Sequence, residues 1–552
     1  MRQTISFAVL LGLFFMAASP LVVLAQTDQP VVSGLASTAG FLLLLPLGLI
    51  LLNSSALPLA EHEAVRTATA AMVVWAVAVL AYFWVGFAFQ FGGVAVNNPH
   101  PDFAELYWNW SPLNASFGTG WGVIGLRGWA LLGSAATPGV YDLFLRHVAL
   151  LGVVVTIPSF ILHRRLNTLG MVLFGLLGGT LLYPLVGNWV WSGGWLASLG
   201  ATQGLGHGFV DAGIATPFAL TGIISLAALV VFRPKIEMAE TVPATAAPTT
   251  ERPDSTAVEA VVPMPAVYWP LFGFLGLILV LWSWAFIAGG AHIPTATAFP
   301  VDRTALNGIL SAITAGLVAA LYSRFTTTEF NPLMVIRGTV AGLVAVSTAA
   351  PFIPPWQALL VGGLVGLTTP LLIYLVDHWL KLADHTASIA TFTFIGLIAW
   401  LLPGLLADGS SGAGWNNIGS TSYLEVEGQG VSGLAVAARY VSDWPDQFNA
   451  QVLGGAAIFG WAFLLSLIYF SGYRWLSSLR RQDMVGSAVE EQVAAAADFS
   501  RTEDLSQTEK VEPVALNDET VETLDAVDNS AGVTVISSEE VSERSDQSST
   551  DS

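Results

Sequence analysis

Asp211-Ala-Gly-Ile-Ala-Thr-Pro-Phe218-Ala-Leu-Thr-Gly222 and Asp384-His-Thr-Ala-Ser-Ile-Ala-Thr-Phe392-Thr-Phe-Ile-Gly396 decide the fold of this chain. Each is an Asp, then Ile-Ala-Thr, then a Phe, then a Gly, inside a long apolar run. Counted along the chain, these runs are the fifth and the tenth. The copies are five spans apart, with four between them, so the two enter a membrane from opposite sides. That is the pattern of an inverted repeat, and it puts a pathway between the halves near the midplane.

The surrounding composition requires lipid as solvent. The chain has 552 residues, 54% hydrophobic and 11% charged, against roughly 25% charged in ordinary soluble domains. Its mean hydropathy is +0.65. In lipid, backbone polar groups must be satisfied within helices or a closed barrel. The apolar runs are about 20 residues long and do not alternate, which is the helical pattern. They lie near 33–52, 67–91, 141–162, 168–187, 209–232, 267–290, 305–324, 333–351, 355–377, 388–407 and 449–472. The expected fold class is an all-α polytopic membrane protein with eleven transmembrane helices, in two inverted five-helix repeats plus a final helix.

The expected organisation follows from the breaks. Arg2, an apolar run from Ile5 to Leu24 and the small residues before Gln26 read as a signal peptide over 1–25, with an uncleaved first span as the other reading. The first membrane repeat covers 26–236 and the second 266–408. Between them, 237–265 is rich in Pro, Ala, Thr and Glu and reads as a flexible cytoplasmic linker. An outer loop over 409–448 precedes the last transmembrane helix at 449–473. The remainder, 474–552, reads as an acidic disordered cytoplasmic tail. That tail carries most of the net charge of −19, so acidity says little about a ligand. The inner ends of the spans hold Arg66, Arg164, Arg165, Arg233, Lys235, Arg324, Arg337, Lys381, Arg474, Arg480 and Arg481; the outer loops hold Arg127, Arg146, Arg303 and Arg439. This bias places the mature N-terminus outside and the C-terminus in the cytoplasm. The chain has no cysteine, which excludes disulfides, thiolate catalysis and cysteine-held metals. The spans carry no paired carboxylates, metal-ligand cluster or activated nucleophile, so no enzyme activity, metal or cofactor is expected. Nothing points to nucleic acid.

At the repeated stretches the chain resembles the ammonium transporter/Rhesus family, over roughly 35–473. Trp189-Val-Trp191-Ser-Gly-Gly-Trp-Leu-Ala-Ser, followed by the Asp211 stretch, is similar to that family's Trp-Gly-Gly-Gly run and its Asp-Phe-Ala-Gly helix start. Trp282-Ser-Trp-Ala-Phe286-Ile-Ala-Gly-Gly290 resembles its Phe-Asn-Ala-Gly-Ser segment, and Gly338-Thr-Val-Ala-Gly342-Leu-Val-Ala-Val its Gly-Ala-hydrophobic-Ala-Gly-Leu-Val stretch. The resemblance implies a homotrimer in a bacterial plasma membrane, with one narrow pore per subunit passing ammonium or ammonia. It adds a PII-type signal protein as a candidate cytosolic partner. Trp191 matches the outer-mouth Trp, Asp211 the Asp beneath it, and Phe286 one ring of a phenylalanine gate. Gly290 stands where the outer site has a Ser.

The departures from the family define the pore centre. Leu150 or Leu151 takes the place of the other gate Phe. Phe218 and Phe392 stand where two pore-lining His are expected. None of the eight His is expected deep in a pore-lining span, and His207 and His292 read as solvated loop residues. The family's C-terminal regulatory motif is absent. Moving an ammonium-sized ion into low dielectric costs of order 20 kcal/mol before relaxation, and an aromatic face such as Trp191 recovers about 0.5 to 2 kcal/mol. Asp211 precedes a helix start, where capping is the first role and attraction of a cation a by-product. Imidazoles hydrogen-bond and relay protons; two phenyl rings do neither and make a dry constriction. The expected activity is transmembrane movement of ammonium or ammonia past an apolar centre. The alternatives are a non-conducting ammonium sensor and a channel for another small neutral solute.

Overall fold

The computed structural model describes residues 40–56, 61–118, 120–233, 268–288 and 300–506, with side chains described as far as 479. The expected signal peptide, the linker, Gly290 and His292 lie outside the described residues. The chain forms two units, Met1–Ser477 and Ser478–Ser552.

The apolar runs are helices. Among the described residues eight are long and apolar enough to cross a membrane, and three apolar helices are shorter. In chain order they are α1 (Leu44–Ala56), α2 (Glu61–Ala81) continuing into α3 (Phe87–Phe91), α4 (Pro138–Leu162), α5 (Thr168–Leu177), α6 (Tyr183–Trp191), α7 (Ala215–Val231), α8 (Tyr268–Ile287), α9 (Val301–Thr327), α10 (Pro332–Ser347), α11 (Pro355–Tyr374), α12 (Ile395–Leu406) and α13 (Asp446–Ser506). Local chemistry sets their starts. Thr137 caps α4 by accepting from Val140 N, Asn167 caps α5 through Gly170 N, and Asn331 caps α10 through Leu333 N. Pro138 and Pro332 occupy first-turn positions, where a missing N–H costs nothing.

Two boundaries differ from expectation. The fifth span was expected from 209, but α7 begins at Ala215 because the preceding segment is spent on a cap. The tail was expected to be disordered from 474, yet it is helical to Ser506. Its Ala, Glu, Gln and Arg content favours helix whatever the solvent.

Among the described residues four π-helical segments lie within or at the ends of the spans: Tyr82–Gly86, Gly178–Leu182, Leu375–Trp379 and Ile389–Phe394. Such segments cluster at functional sites in general.

The first helices of the two halves, α1 and α8, pack together, as do the fifth ones, α7 and the Ile389–Phe394 segment leading into α12. The contacts are reciprocal. A Cβ on Gly48 would meet Gly276 O at 2.8 Å, and one on Gly276 would meet Gly48 O at 2.5 Å. A Cβ on Gly222 would meet Thr393 N at 2.3 Å, and one on Gly396 would meet Ala219 Cβ at 2.8 Å. Only glycine lets these helices approach so closely.

The two long loops, over 93–140 and 408–448, have ordered contacts. In the first, β1 (Asn109–Trp110) pairs antiparallel with β2 (Ile124–Gly125). In the second, β3 (Ser422–Tyr423) pairs with β4 (Val426–Glu427). Arg303 ties the second loop down through Asp408 Oδ2 at 2.6 Å, Ser410 Oγ at 2.6 Å and Ile353 O at 2.7 Å.

Candidate functional site

Trp191 ends α6, and the Ser192-Gly193-Gly194 turn follows it. Gly193 takes a left-handed φ of 71°, and a Cβ on Gly194 would strike Asn188 O at 2.6 Å. This turn opens one wall of a cavity of about 120 Å³ lined by Trp191, Ser192, Ser198, Asn97, Asn416 and Asn417 among others. Asn97 and Asn417 each spend one amide N–H, on Gly193 O and Asn97 O, and Asn416 Nδ2 donates to His207 O and Phe209 O. These side chains offer a ligand their carbonyl oxygens and, on Asn97 and Asn417, a second N–H. Among the described residues the buried Ser192 hydroxyl has no hydrogen-bond partner. Acceptors beside an indole face suit a small donor-rich cation.

Beneath the cavity, the segment before α7 is irregular yet buried, so its backbone needs partners. Two glutamines of α13 supply them. Gln447 accepts from His207 N and donates to Gly208 O; Gln451 accepts from Val210 N and donates to Val210 O and Trp400 O. Asp211 then caps α7. Its Oδ1 accepts from Gly213 N at 3.0 Å and its Oδ2 from Thr216 N at 2.8 Å. Trp191 Nε1 donates to Asp211 O at 3.1 Å. On the other half, Asp384 Oδ2 accepts from Ile389 N at 2.7 Å, and Oδ1 accepts from the hydroxyls of Thr386 and Ser388. In both halves the Asp serves the amide five residues on. Capping is the observed role of Asp211.

Below the caps the two halves meet through their aromatic residues. The rings of Phe218 and Phe392 stack with centroids 5.1 Å apart and planes 12° off parallel. Both are buried, as are Leu150 and Leu151. Stacked pairs of this kind add about 0.5–1.5 kcal/mol beyond their area. The hydroxyls of Thr391 and Thr393, beside Phe392, and of Ser225, two turns beyond Phe218, are buried and have no hydrogen-bond partner among the described residues.

Two histidines are buried. No His was expected deep in a pore-lining span, and His147, which the sequence did not single out, is fully enclosed in α4. Its Nδ1 lies 2.5 Å from Tyr183 Oη and 3.0 Å from Gln90 Nε2, and Tyr82 donates to Gln90 Oε1 at 2.8 Å. Its ring lies 5.7 Å from that of Trp191. Hydropathy averaged over α4 hides a single imidazole; only the Gln90 and Tyr183 side chains, brought from other helices, make its burial affordable. His207, expected to be solvated, is also fully buried, against Tyr423 at 4.5 Å between ring centroids. Burial lowers its pKa to about 4. Nearby Asp443 accepts from Tyr423 Oη at 3.0 Å. Burial raises its pKa to about 6, with the Tyr423 hydrogen bond opposing the rise and Asp446 adding to it. The segment that covers His207 comes from more than 200 residues downstream, so no local signal reveals it.

Of the remaining expected site residues only Phe286 is described. Phe286 is half-buried and stacks on Phe41 at 4.7 Å, with Trp282 beside it. Its described ring contacts do not include Trp191. Gly290 is not described. No group of three metal-ligating side chains occurs among the described residues.

A model of the Ammonium Transporter Family matches residues 35–492. The chain belongs to this family. Ammonium transporter Amt2 of Archaeoglobus fulgidus is 24% identical over 431 residues, covering 76% of this chain and 79% of its own. The putative ammonium transporter sll1017 of Synechocystis is 24% identical over 399 residues, covering 71% and 72%. Among solved structures, a Sensor Amt Protein superposes with TM-score 0.57 at 19% identity, covering 79% of this chain and 91% of its own. Mep2 of Candida albicans gives 0.56 at 18%, covering 79% and 82%. At these identities the structures establish the ammonium transporter fold alone.

Proposed function

We propose that this member of the ammonium transporter family carries ammonium nitrogen across the membrane as neutral ammonia. The cation is received at Trp191 in the outer cavity, with Ser192 and the asparagine carbonyls as acceptors. Ammonia then passes Leu150 and the Phe218–Phe392 pair, with the hydroxyls of Thr391, Thr393 and Ser225 as polar stations. Asp211 holds the start of α7 and adds negative charge near the mouth. Phe286 is assigned no part in this path.

The eight long and three shorter apolar helices support eleven spans. The matched Asp caps and reciprocal glycine contacts support two inverted five-helix repeats. A homotrimer in a bacterial plasma membrane, with the mature N-terminus outside and the C-terminus inside, completes the proposal. Family membership favours conduction over sensing.

The observation that carries the reading is the Phe218–Phe392 stack at the crossing of the two halves. Neither ring takes a proton, and an ion there would lose its water for an apolar surface. The test uses the full chain in proteoliposomes, with ammonium uptake and current recorded together. The wild type is expected to take up ammonium without matching current, and the double variant Phe218→His, Phe392→His to add current. Equal charge per ammonium in the two would refute the dry centre.

A further inference from the structure

We propose that His147, through Tyr183, is the group that accepts the proton of ammonium at the outer mouth and returns it to the outer side. The proposal deepens the transport reading and rests on it. Ammonia cannot cross a dry constriction until ammonium has lost a proton, and the stacked rings offer no base. Asp211 is poorly placed to serve, because both its carboxylate oxygens hold backbone amides. His147 stands one turn outside Leu150 on the same face of α4, since residues three apart share a helix face. Trp191 lies against it at 5.7 Å and against Tyr183 at 6.4 Å, measured between ring centroids. A cation held on the vestibule side of the indole is therefore one ring away from both.

The surroundings of the imidazole suit a change of charge. An ionisable side chain within a membrane bundle is costly to keep, and such residues mark proton paths. Two groups approach the single site at Nδ1: Tyr183 Oη at 2.5 Å and Gln90 Nε2 at 3.0 Å. When the ring is neutral, Nδ1 accepts from one of them. When Nδ1 carries a proton, it donates to Tyr183 Oη. The Gln90 amide can then reverse, because the Tyr82 hydroxyl both donates and accepts. The Nδ1 site can thus be satisfied in either protonation state.

In the proposed step an N–H bond of ammonium breaks and its electron pair stays on nitrogen, giving ammonia. The proton goes to Tyr183 Oη as the tyrosine's own proton passes to His147 Nδ1. The reverse transfer, to water at the mouth, resets the relay, so uptake is electroneutral. The titratable and charged groups on elements packed against the outer half of α4 are Tyr82, Tyr183, Asp211 and, at its first turn, Asp102 (beside Gly139). On α4 itself Asp142 and Arg146 pair with each other at 2.8 Å.

The test compares His147→Asn, which keeps a hydrogen-bonding group near Nδ1 but does not titrate, and Tyr183→Phe with the wild type. The full chain is reconstituted, and protein-dependent ammonium uptake is followed from acid to alkaline outer pH. The expected result is at least a tenfold loss for His147→Asn at acid pH, where almost all the substrate is ammonium. The loss should shrink towards nothing as free ammonia accumulates with rising pH. Tyr183→Phe should show a smaller loss with the same pH trend, and it carries the test if His147→Asn fails to fold. A loss that is equal at every pH, or no loss at all, would show the network to be structural and overturn the proposal. Absence of uptake by the wild type at every pH would instead remove the transport reading, and this proposal with it.

Discussion

Adding one methyl group at Gly222 tests the crossing on which the site is built. A Cβ there would lie 2.3 Å from Thr393 N, 2.5 Å from Thr393 Oγ1 and 2.8 Å from Phe392 C, where ordinary contact begins at 3.4 Å. Two of these atoms are backbone and cannot rotate away. The two helices must part by roughly 1 Å, and overpacking of this kind typically costs about 1–3 kcal/mol. With backbone on both sides the upper end applies, which is about a hundredfold in a conformational equilibrium. Gly396→Ala meets only Ala219, with Cβ at 2.8 Å and Cα at 3.1 Å, so it should cost nearer to about 1 kcal/mol. Gly363→Ala meets nothing within 4 Å and should be neutral or stabilising by up to about 1 kcal/mol, since alanine is the better helix former. Thermal unfolding of the purified full chain in detergent, followed by tryptophan fluorescence, should rank the variants in that order. Gly222→Ala should also disturb the Phe218–Phe392 stack and so change ammonium flux. If it melts together with Gly363→Ala, the close approach of the two halves is not what holds the centre.

Removing the indole with Trp191→Leu should raise the half-saturating ammonium concentration about 2- to 30-fold, the value of the lost cation–π attraction; uptake titrations measure it. Asp211→Ala orphans two buried amides, each costing about 1–3 kcal/mol, whereas Asp211→Asn keeps one acceptor and should lose about half as much. If Asp211→Asn melts like the wild type and only weakens ammonium uptake, charge rather than capping is its role. In the outer loops the two shifted groups act oppositely. His207, lowered to about 4 in the fold, loses stability as pH falls from its unfolded value of about 6.5. Asp443, raised to about 6, loses stability as pH rises through that value and gains it on acidification. Melting curves between those limits should therefore fall with acid in Asp443→Asn and rise in His207→Phe, with the wild type between them. Parallel curves for all three would refute the burial of both groups.

The parts of the fold and site that depend on neighbouring residues were legible in the sequence. Hydropathy located most ends of the apolar helices to within about six residues, the far end of α13 excepted, because each span must be apolar over its own length whatever it touches. The cap at Asp211 was legible for the same reason, since its partners Gly213 and Thr216 are close in sequence. Phe218 and Phe392 were singled out by the family resemblance, as rings at a dry constriction; that the two rings stack on one another is shown by the structure.

The sequence by itself determined the solvent, the helices, the doubled Asp-to-Gly stretch and the absence of imidazole at Phe218 and Phe392. Only the tertiary structure decided which polar residues are buried beside the path. Leu150 and His147 sit on one helix, and nothing local distinguishes a histidine that faces water from one enclosed by Gln90, 57 residues before it, and Tyr183, 36 residues after it. His207 depends in the same way on Tyr423 and Gln447. Burial is a property of what other segments bring to a side chain, and in a bundle folded back on itself those segments come from far along the chain.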